Sequence, residues 1–249
     1  MNYSNPIIFD RSLLRHRQRR AAHQFPGTKA LIEECALQLG ERLSDVKRSF
    51  PSALDLSPLP FLTAHANQSV ISASDIVFDE ELLPFGAERF DLIVSNLQLH
   101  WVNDVPGCLS QIHSALKADG LFLASLIGEH SLHELRSCLF DAELAMTGGI
   151  SPRLSPTIDL QSASALMQRA GYSLPVTDKE TVTLIYSDMF SLMRDLRAMG
   201  QANIHTGRLR VPTKKAVFLE AARLYKDRFG DENGHIPATF DIIYLHGWK

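Results

Sequence analysis

Residues 90–104 constrain the fold most, because their pattern predicts a buried strand that runs directly into a polar and aromatic loop. The apolar, partly β-branched run 92–94 is typical of a central parallel strand that is covered on both faces. Asn96 lies at the end of that strand, where ligand crevices open in parallel sheets. His100 and Trp101 follow within reach of the same crevice. We therefore expect an α/β protein with a functional site at this strand end.

The chain before this strand is short and lacks glycine. Residues 51–56 are predicted to form the first strand, and the sequence Ser-Pro-Leu-Pro follows at 57–60. Its two prolines lack backbone donors and hold φ at about −65°, and no glycine occurs between Gly40 and Gly86. The three helices and two strands of a full doubly wound half would need on the order of 65 residues here. The sequence therefore predicts a sheet shortened by about one strand–helix unit.

Hydrophobic periodicity predicts the other elements. Helices are expected over 28–48, 105–116, 131–147 and 159–170, with two more inside 187–230. Strands are expected over 121–127, 181–186 and 237–248. The predicted helix caps are Thr28, Gly120 (a C-cap), the Ser131–Glu134 capping box, Asp159 and Thr213.

Composition is that of an ordinary globular protein, with 249 residues, 45% apolar and 21% charged. A net charge of −3 provides no global basic field and argues against a nucleic-acid partner. No apolar run approaches the roughly 20 residues of a membrane span, and no secretory signal pattern is expected. Cys35, Cys108 and Cys138 are widely spaced on predicted helices, which predicts free buried thiols and no metal site.

Two parts of the sequence resemble a known family. The pattern Asn-Leu-x-Leu-His-Trp-Val-x-Asp at 96–104, with the helix and strand around it, is similar to class I S-adenosylmethionine (AdoMet) methyltransferases. Within them, the chain resembles the malonyl-acyl-carrier-protein O-methyltransferases and the arginine hydroxylases of respiratory complex I assembly. The resemblance extends from Phe9 to Trp248. It implies a Rossmann-like class I methyltransferase fold, shortened in its cofactor half and carrying a helical insertion before the last strand.

That resemblance implies one domain over 1–249. An N-terminal helical segment would span 1–50, the Rossmann-like core 51–186, a helical cover 187–230 and the final strand 237–248. An AdoMet site is implied at the strand ends, and its candidate residues are Asp55, Asp75, Asp79, Asn96 and Leu97. Asp75 would bind the ribose hydroxyls, and Asp79 belongs to the segment next to the adenine. For both, a role as a turn or cap residue is equally open, because Asp is common in loops.

His100 and Trp101 are the candidate catalytic residues. His100 could act as a base or orient the acceptor, because its ordinary pKa permits acid–base work; a packed, hydrogen-bonded histidine is the alternative. The helical cover is implied to lie on the acceptor side. Its candidate substrate or partner contacts are Arg194, Arg197, Asn203, His205 and Arg208.

The N-terminal 27 residues are rich in arginine, and Asp10 is their only acid. Because the resemblance already begins at Phe9, we expect this stretch to belong to the mature fold and not to a presequence. Two interpretations remain open for Arg15, Arg17 and Arg19. They form a solvated basic helix face, or they form a docking surface for an acidic partner or substrate carrier.

Three functions remain open from the sequence. The first is an AdoMet-dependent transferase, or the related hydroxylase, that acts on a protein or carrier-bound substrate such as a complex I subunit. The second is a pseudo-methyltransferase that has lost AdoMet and serves as an assembly scaffold, as the missing glycines suggest. The third is malonyl-acyl-carrier-protein O-methylation. The expected location is the bacterial cytoplasm, or the mitochondrial matrix in a eukaryote.

Overall fold

The computed structural model describes residues 7–24, 30–58, 62, 69–72 and 79–249. Within them, six strands form one sheet in the order β2-β1-β3-β4-β6-β5. The strands are β1 (Ser52–Asp55), β2 (Ser69–Ser72), β3 (Phe90–Asn96), β4 (Leu116–Ile127), β5 (Ser173–Tyr186) and β6 (Ile236–Trp248). β2, β1, β3 and β4 run parallel, and β6 lies antiparallel between β4 and β5.

Seven α-helices surround this sheet in the described part of the chain. They are α1 (Arg11–Gln24), α2 (Ala30–Ser44), α3 (Val105–Ala115), α4 (His133–Thr147), α5 (Leu160–Arg169), α6 (Met189–Ala198) and α7 (Lys215–Phe229). The predicted α/β class is confirmed, and α6 and α7 are the helical insertion between the last two strands.

The sheet is buried on both faces. Leu92 and Val94 of β3 pack into a core with α2, α4, α6 and α7, whereas Ile93 packs into a second core with α3 and α5. This alternation confirms that the apolar run of β3 is a central strand. The three cysteines lie on α2, α3 and α4 as buried free thiols, as predicted. No described helix combines the length and apolar character that crossing a bilayer requires.

The strand order reverses between β1 and β3, because the chain passes from β1 outward to β2 and then returns to the other side of β1. In open α/β sheets, this switch point is where ligands bind, beyond the carboxyl ends of the strands. Only residues 56–68 connect β1 to β2. The sheet therefore has the short cofactor half that the 56–90 interval predicts.

Several predicted boundaries were wrong. β5 begins at Ser173 and not at residue 181, because it pairs with β6 along almost its whole length. α3 ends at Ala115, and Leu116 already pairs with Phe90, so Gly120 is not a helix cap. The local left-handed residue is Asp119, with φ of 55°.

Two predicted N-caps have other partners. α4 begins after Leu132, whose φ is 55°, and no side chain caps it. Ser131 instead donates its hydroxyl to the backbone oxygen of Asp241 at 3.0 Å. α7 begins after Lys214, and Thr213 accepts a hydrogen bond from Arg153. Asp159 does cap α5, accepting from the Ser162 amide at 2.8 Å. Thr28 lies outside the described residues.

Gly200 allows the end of α6 to approach α1. Its φ is +73°, a region that favours glycine. A Cβ at this position would lie 2.9 Å from Cγ of Gln18 and 3.4 Å from its Cα. The close approach brings the residues that follow α6 against α1 and the loop after β3.

We predict that Gly200→Ala lowers the free energy of unfolding by about 1–2 kcal/mol, because alanine in the left-handed region is strained. Gly149→Ala is the matched control, since a Cβ there meets no atom within 4 Å. It should change stability by less than about 0.5 kcal/mol. Urea unfolding of both variants measures the difference, and equal effects would contradict this account of Gly200.

Candidate functional site

Gln201 connects the helical cover to the loop after β3. It lies just beyond α6 and is buried. Its Nε2 donates to the backbone oxygen of Leu97 at 3.1 Å. Its Oε1 accepts from Nε1 of Trp101 at 2.7 Å and lies 2.9 Å from Nε2 of His100. A 3-10 turn, Leu99–Trp101, directs both rings toward the cover.

This network fixes the tautomer of His100. Because Nε2 of Gln201 donates to a carbonyl, the other atom of the amide must be the oxygen, which can only accept. Nε2 of His100 therefore carries the proton and donates to it. The opposite nitrogen, Nδ1, is left as a lone-pair acceptor, and it is buried with no hydrogen-bond partner among the described residues. Burial lowers the pKa of His100 to about 4, so the ring is neutral at pH 7.

A cavity of about 50 Å³ opens beside His100 and Trp101. We call it the inner cavity. Its wall combines the end of β4, the start of α4, the connection at 154–157 and residues after α6. The side chains of Ile127, Leu132 and Leu154 supply apolar surface. The inner cavity thus combines an apolar wall with the side chains of His100, Trp101 and Gln201.

The residues that the resemblance assigns to AdoMet are occupied within the protein. Asp55 is fully buried and accepts from the amides of Ser57 and Leu62, each at 2.9 Å. Both hydrogen-bonding atoms of the Asn96 side chain are used: Nδ2 donates to the Ile32 oxygen at 3.0 Å, and Oδ1 accepts from the Ser125 hydroxyl at 2.7 Å.

Leu97 is also engaged, because its amide donates to the backbone oxygen of Ser125 at 3.1 Å. Its φ is 52°, so the chain turns sharply where β3 ends. Asp75 lies outside the described residues.

Asp79 belongs to an ion-pair network with α1. Its carboxylate lies 3.0 Å from Arg11 and 2.9 Å from Arg15, and backbone and guanidinium hydrogen bonds lower its pKa against the effect of burial. Arg11 is buried and also pairs with Glu80. Glu80 in turn accepts from Gln98 at 2.7 Å. Arg15 is therefore part of this network, while its side chain stays 40% exposed.

The described residues consequently do not fit AdoMet as they stand. Asp55, Asn96 and Leu97 expose almost no surface, and Asp79 is neutralised by two guanidinium groups. Binding would require these contacts to break.

Four of the five predicted substrate contacts line surface cavities, whereas the fifth, His205, connects two segments of the chain. Arg194 and Arg197 are exposed on α6, and Arg197 lines a second cavity of about 290 Å³ together with Asn203 and Arg208. Arg208 pairs with Asp10 at 3.0 Å.

His205 has a structural setting. It forms a bridge with Phe9, and its Nδ1 accepts from the amide of Gly207 at 2.9 Å. Asn103 also supports this region, because its Oδ1 accepts hydrogen bonds from the amides of Ile8 and Phe9. His205 thus joins the N-terminal segment to the cover.

Sequence reasoning missed Gln201 as a site residue. It lies inside the stretch 194–208 that resembles the family, directly after a glycine at a predicted helix end. That position was a usable signal, because a polar side chain after a helix end can reach a neighbouring loop. Its partners His100 and Trp101 are about 100 residues away, and no local pattern pairs them.

Comparison with known proteins identifies the family. The arginine hydroxylase NDUFAF5, mitochondrial, of Danio rerio is 36% identical over 266 residues, covering 97% of this chain and 83% of that protein. The chain belongs to this family. The family profile named "Methyltransferase domain" matches residues 50–124.

More distant proteins agree on the fold. The malonyl-[acyl-carrier protein] O-methyltransferase of Gallionella capsiferriformans is 27% identical and covers 98% of this chain and 93% of its own length. The solved structure of a Bacillus halodurans protein classed as a methyltransferase superposes with a TM-score of 0.55 at 14% identity, covering 86% of this chain and 98% of that one. The chain is therefore a methyltransferase-fold member of the arginine-hydroxylase family.

We predict that His100 makes the protein sensitive to mild acid. Its pKa is about 4 in the folded protein and about 6.5 in the unfolded chain, so the unfolded chain binds the extra proton first as pH falls. The stabilisation is complete above pH 6.5 and is lost between pH 6.5 and pH 4, with about 2 kcal/mol gone from pH 7.5 to pH 5. Urea unfolding at both pH values should show this loss in the wild type and a smaller one in His100→Gln. Parallel pH profiles would contradict it.

We also predict that Glu80→Gln destabilises the fold by about 3 kcal/mol, because it removes a partner of the buried Arg11 charge. Glu220→Gln is the control. Glu220 pairs with Arg223 on the surface of α7, and its loss should leave the denaturant midpoint almost unchanged, because exposed ion pairs contribute little to stability. Denaturant midpoints compare the two variants.

Proposed function

We propose that this protein is an arginine hydroxylase that acts on an arginine side chain of a protein substrate during assembly of respiratory complex I. The observation that carries the proposal is the 36% identity to an arginine hydroxylase over almost the whole chain. Hydroxylation converts a C–H bond into C–OH, so it also needs molecular oxygen with a two-electron reductant, the second oxygen atom leaving as water. The proposal covers how this chain binds and orients the arginine. It names no residue that binds the oxidant.

The inner cavity supports this proposal by its shape and chemistry. The methylene stem of an arginine would pack against Ile127, Leu132 and Leu154. A guanidinium N–H would donate to Nδ1 of His100, which is buried without a partner among the described residues and would have to become accessible when the substrate binds. The low pKa of His100 matters here, because a protonated imidazole would repel the guanidinium. Gln201 acts as a positioning residue, since it sets the tautomer that leaves Nδ1 free to accept.

A scaffold function is the second candidate. It is favoured because Asp55, Asn96 and Asp79, which the resemblance assigns to AdoMet, already have hydrogen-bond or ion-pair partners within the protein. Such a protein would hold a complex I subunit without modifying it. Malonyl-acyl-carrier-protein methylation has weaker support, because the identity to those enzymes is 27% against 36% for the arginine hydroxylase.

Complementation of cells lacking this protein separates the two candidates. Wild-type protein should restore complex I and add one oxygen atom to a substrate arginine, detected by mass spectrometry of complex I subunits. His100→Ala should abolish the added oxygen while the protein stays folded. His235→Ala, an exposed histidine before β6, is the matched control and should behave as wild type. Full assembly by wild type with no modified arginine would favour the scaffold function.

Titration with AdoMet and S-adenosylhomocysteine tests the cofactor side directly. A ligand at 100 times its dissociation constant stabilises a protein by about 2.7 kcal/mol, which raises Tm by roughly 5 °C or more for a chain of this size. We expect no shift at millimolar ligand, because the described residues of that side are already paired. A saturable shift that disappears in Asp75→Ala would contradict this expectation and restore the AdoMet-dependent reading.

A further inference from the structure

Six arginines line a continuous groove beside the inner cavity. The second cavity, of about 290 Å³, meets a third of about 320 Å³ at Arg17, Arg197 and Ala202. The arginines are Arg17, Arg20, Arg153, Arg194, Arg197 and Arg208. We call the two cavities together the basic groove. No Asp or Glu is among the residues that line it.

Two of these arginines already have carboxylate partners. Arg153 pairs with Glu143 at 2.5 Å, and Arg208 pairs with Asp10. In contrast, Arg17, Arg194 and Arg197 form no ion pair within the described residues. Arg194 donates only to the hydroxyl of Ser191, at 2.8 Å. The basic groove therefore holds uncompensated positive charge on a protein whose net charge is −3.

Arg17 is the most constrained of the three. Its Nη1 donates to the backbone oxygen of Asn203 at 2.5 Å, so its charge is held at the centre of the groove. Burial, together with the like charges of Arg208 and Arg197, lowers the pKa of Arg17. An anion in the groove would relieve this repulsion and form charge-assisted hydrogen bonds, for which the planar guanidinium suits a carboxylate.

Apolar side chains form the rest of the groove wall. They include Leu139, Met193 and Phe218, and Leu209 is 43% exposed. A bare phosphate would leave this surface unused, whereas a peptide that carries both acidic and apolar residues would contact both kinds of surface. The groove also shares Leu154, Leu196, Gln201 and Asn203 with the inner cavity, so one extended segment could contact both.

We propose that the basic groove is the docking site for an acidic, partly apolar segment of the protein substrate, with its carboxylates on Arg17, Arg194 and Arg197. This deepens the proposed function and rests on it for the identity of the substrate. Acidic residues on the segment would also reduce an unfavourable charge interaction, because Arg136 lines the inner cavity and repels an entering arginine.

Fluorescence anisotropy with an arginine-free peptide tests the groove by itself. The probe is a labelled synthetic peptide that alternates Asp with Leu, and its counterpart has Asn at each Asp. The Asp peptide should bind at least tenfold more tightly than the Asn peptide, and added salt should weaken it. The double variant Arg194→Gln/Arg197→Gln should lose at least tenfold in affinity. Both residues are exposed and lack ion pairs among the described residues, so this variant should fold normally.

Two controls make the result specific. Arg223→Gln on α7 also removes exposed positive charge and should leave the affinity unchanged. His235→Ala should leave it unchanged as well, because His235 is exposed and is not among the residues that line the basic groove. Equal binding of the Asp and Asn peptides, or no effect of the double variant, would overturn the proposal. Displacement of the peptide by inorganic phosphate or single-stranded RNA at comparable concentration would also overturn it, since the groove would then be a general anion site.

The two proposals fail separately. If the Asp peptide binds as expected but no substrate arginine gains oxygen in cells, the groove stands and the hydroxylase function falls. If arginine is modified by the Arg194→Gln/Arg197→Gln variant as fast as by wild type, the groove proposal falls and the hydroxylase function stands.

Discussion

The side-chain amide of Gln201 is the interaction on which the site depends. It joins the cover to the loop after β3 through Leu97, and it also sets the state of His100. An amide donates from one atom and accepts at the other, so its orientation is fixed once a carbonyl takes the donor. That constraint passes to Trp101 and His100 and leaves Nδ1 of His100 unprotonated, buried and without a partner among the described residues. Gln201 thus sets the tautomer of a histidine that lines the inner cavity.

The N-terminal segment holds this arrangement in place. Phe9 packs edge-on against Trp101, with ring centroids 5.7 Å apart, and it belongs to a small apolar cluster with Leu14 and Ile204. α1 then places Arg11, its first residue, against Asp79 and Glu80, and Arg17, near its middle, in the basic groove. One helix therefore contributes to both the Asp79 ion-pair network and the basic groove. This is a physical reason for the arginine-rich, acid-poor composition of the first 27 residues.

The sequence predicted the sheet well because its signals are local. The apolar run of β3 and the long last strand each carry their own pattern, and the short 56–90 interval limits what can lie between β1 and β3. Caps were predicted poorly where tertiary partners compete for the same side chain. Ser131 and Glu134 match a capping box, yet Ser131 bonds to Asp241, and Glu134 accepts from Thr239. The strand β6 provides these partners from more than 100 residues away, and local reasoning cannot include it.

The candidate site shows the same division between local and distant information. His100 and Trp101 could be selected from sequence, because they follow a strand end in an unusual aromatic pair. Their chemistry could not be, since a histidine that titrates near pH 6.5 and one held neutral to about pH 4 look identical in sequence. Asp79 shows the opposite case. Its position resembles a cofactor residue, and only the approach of Arg11 and Arg15 reveals that its charge is already balanced. These ion pairs would have to break before a ligand could use that carboxylate. The basic groove shares Gln201 and Asn203 with the inner cavity, so the docking proposal also gives a substrate segment a route to that cavity.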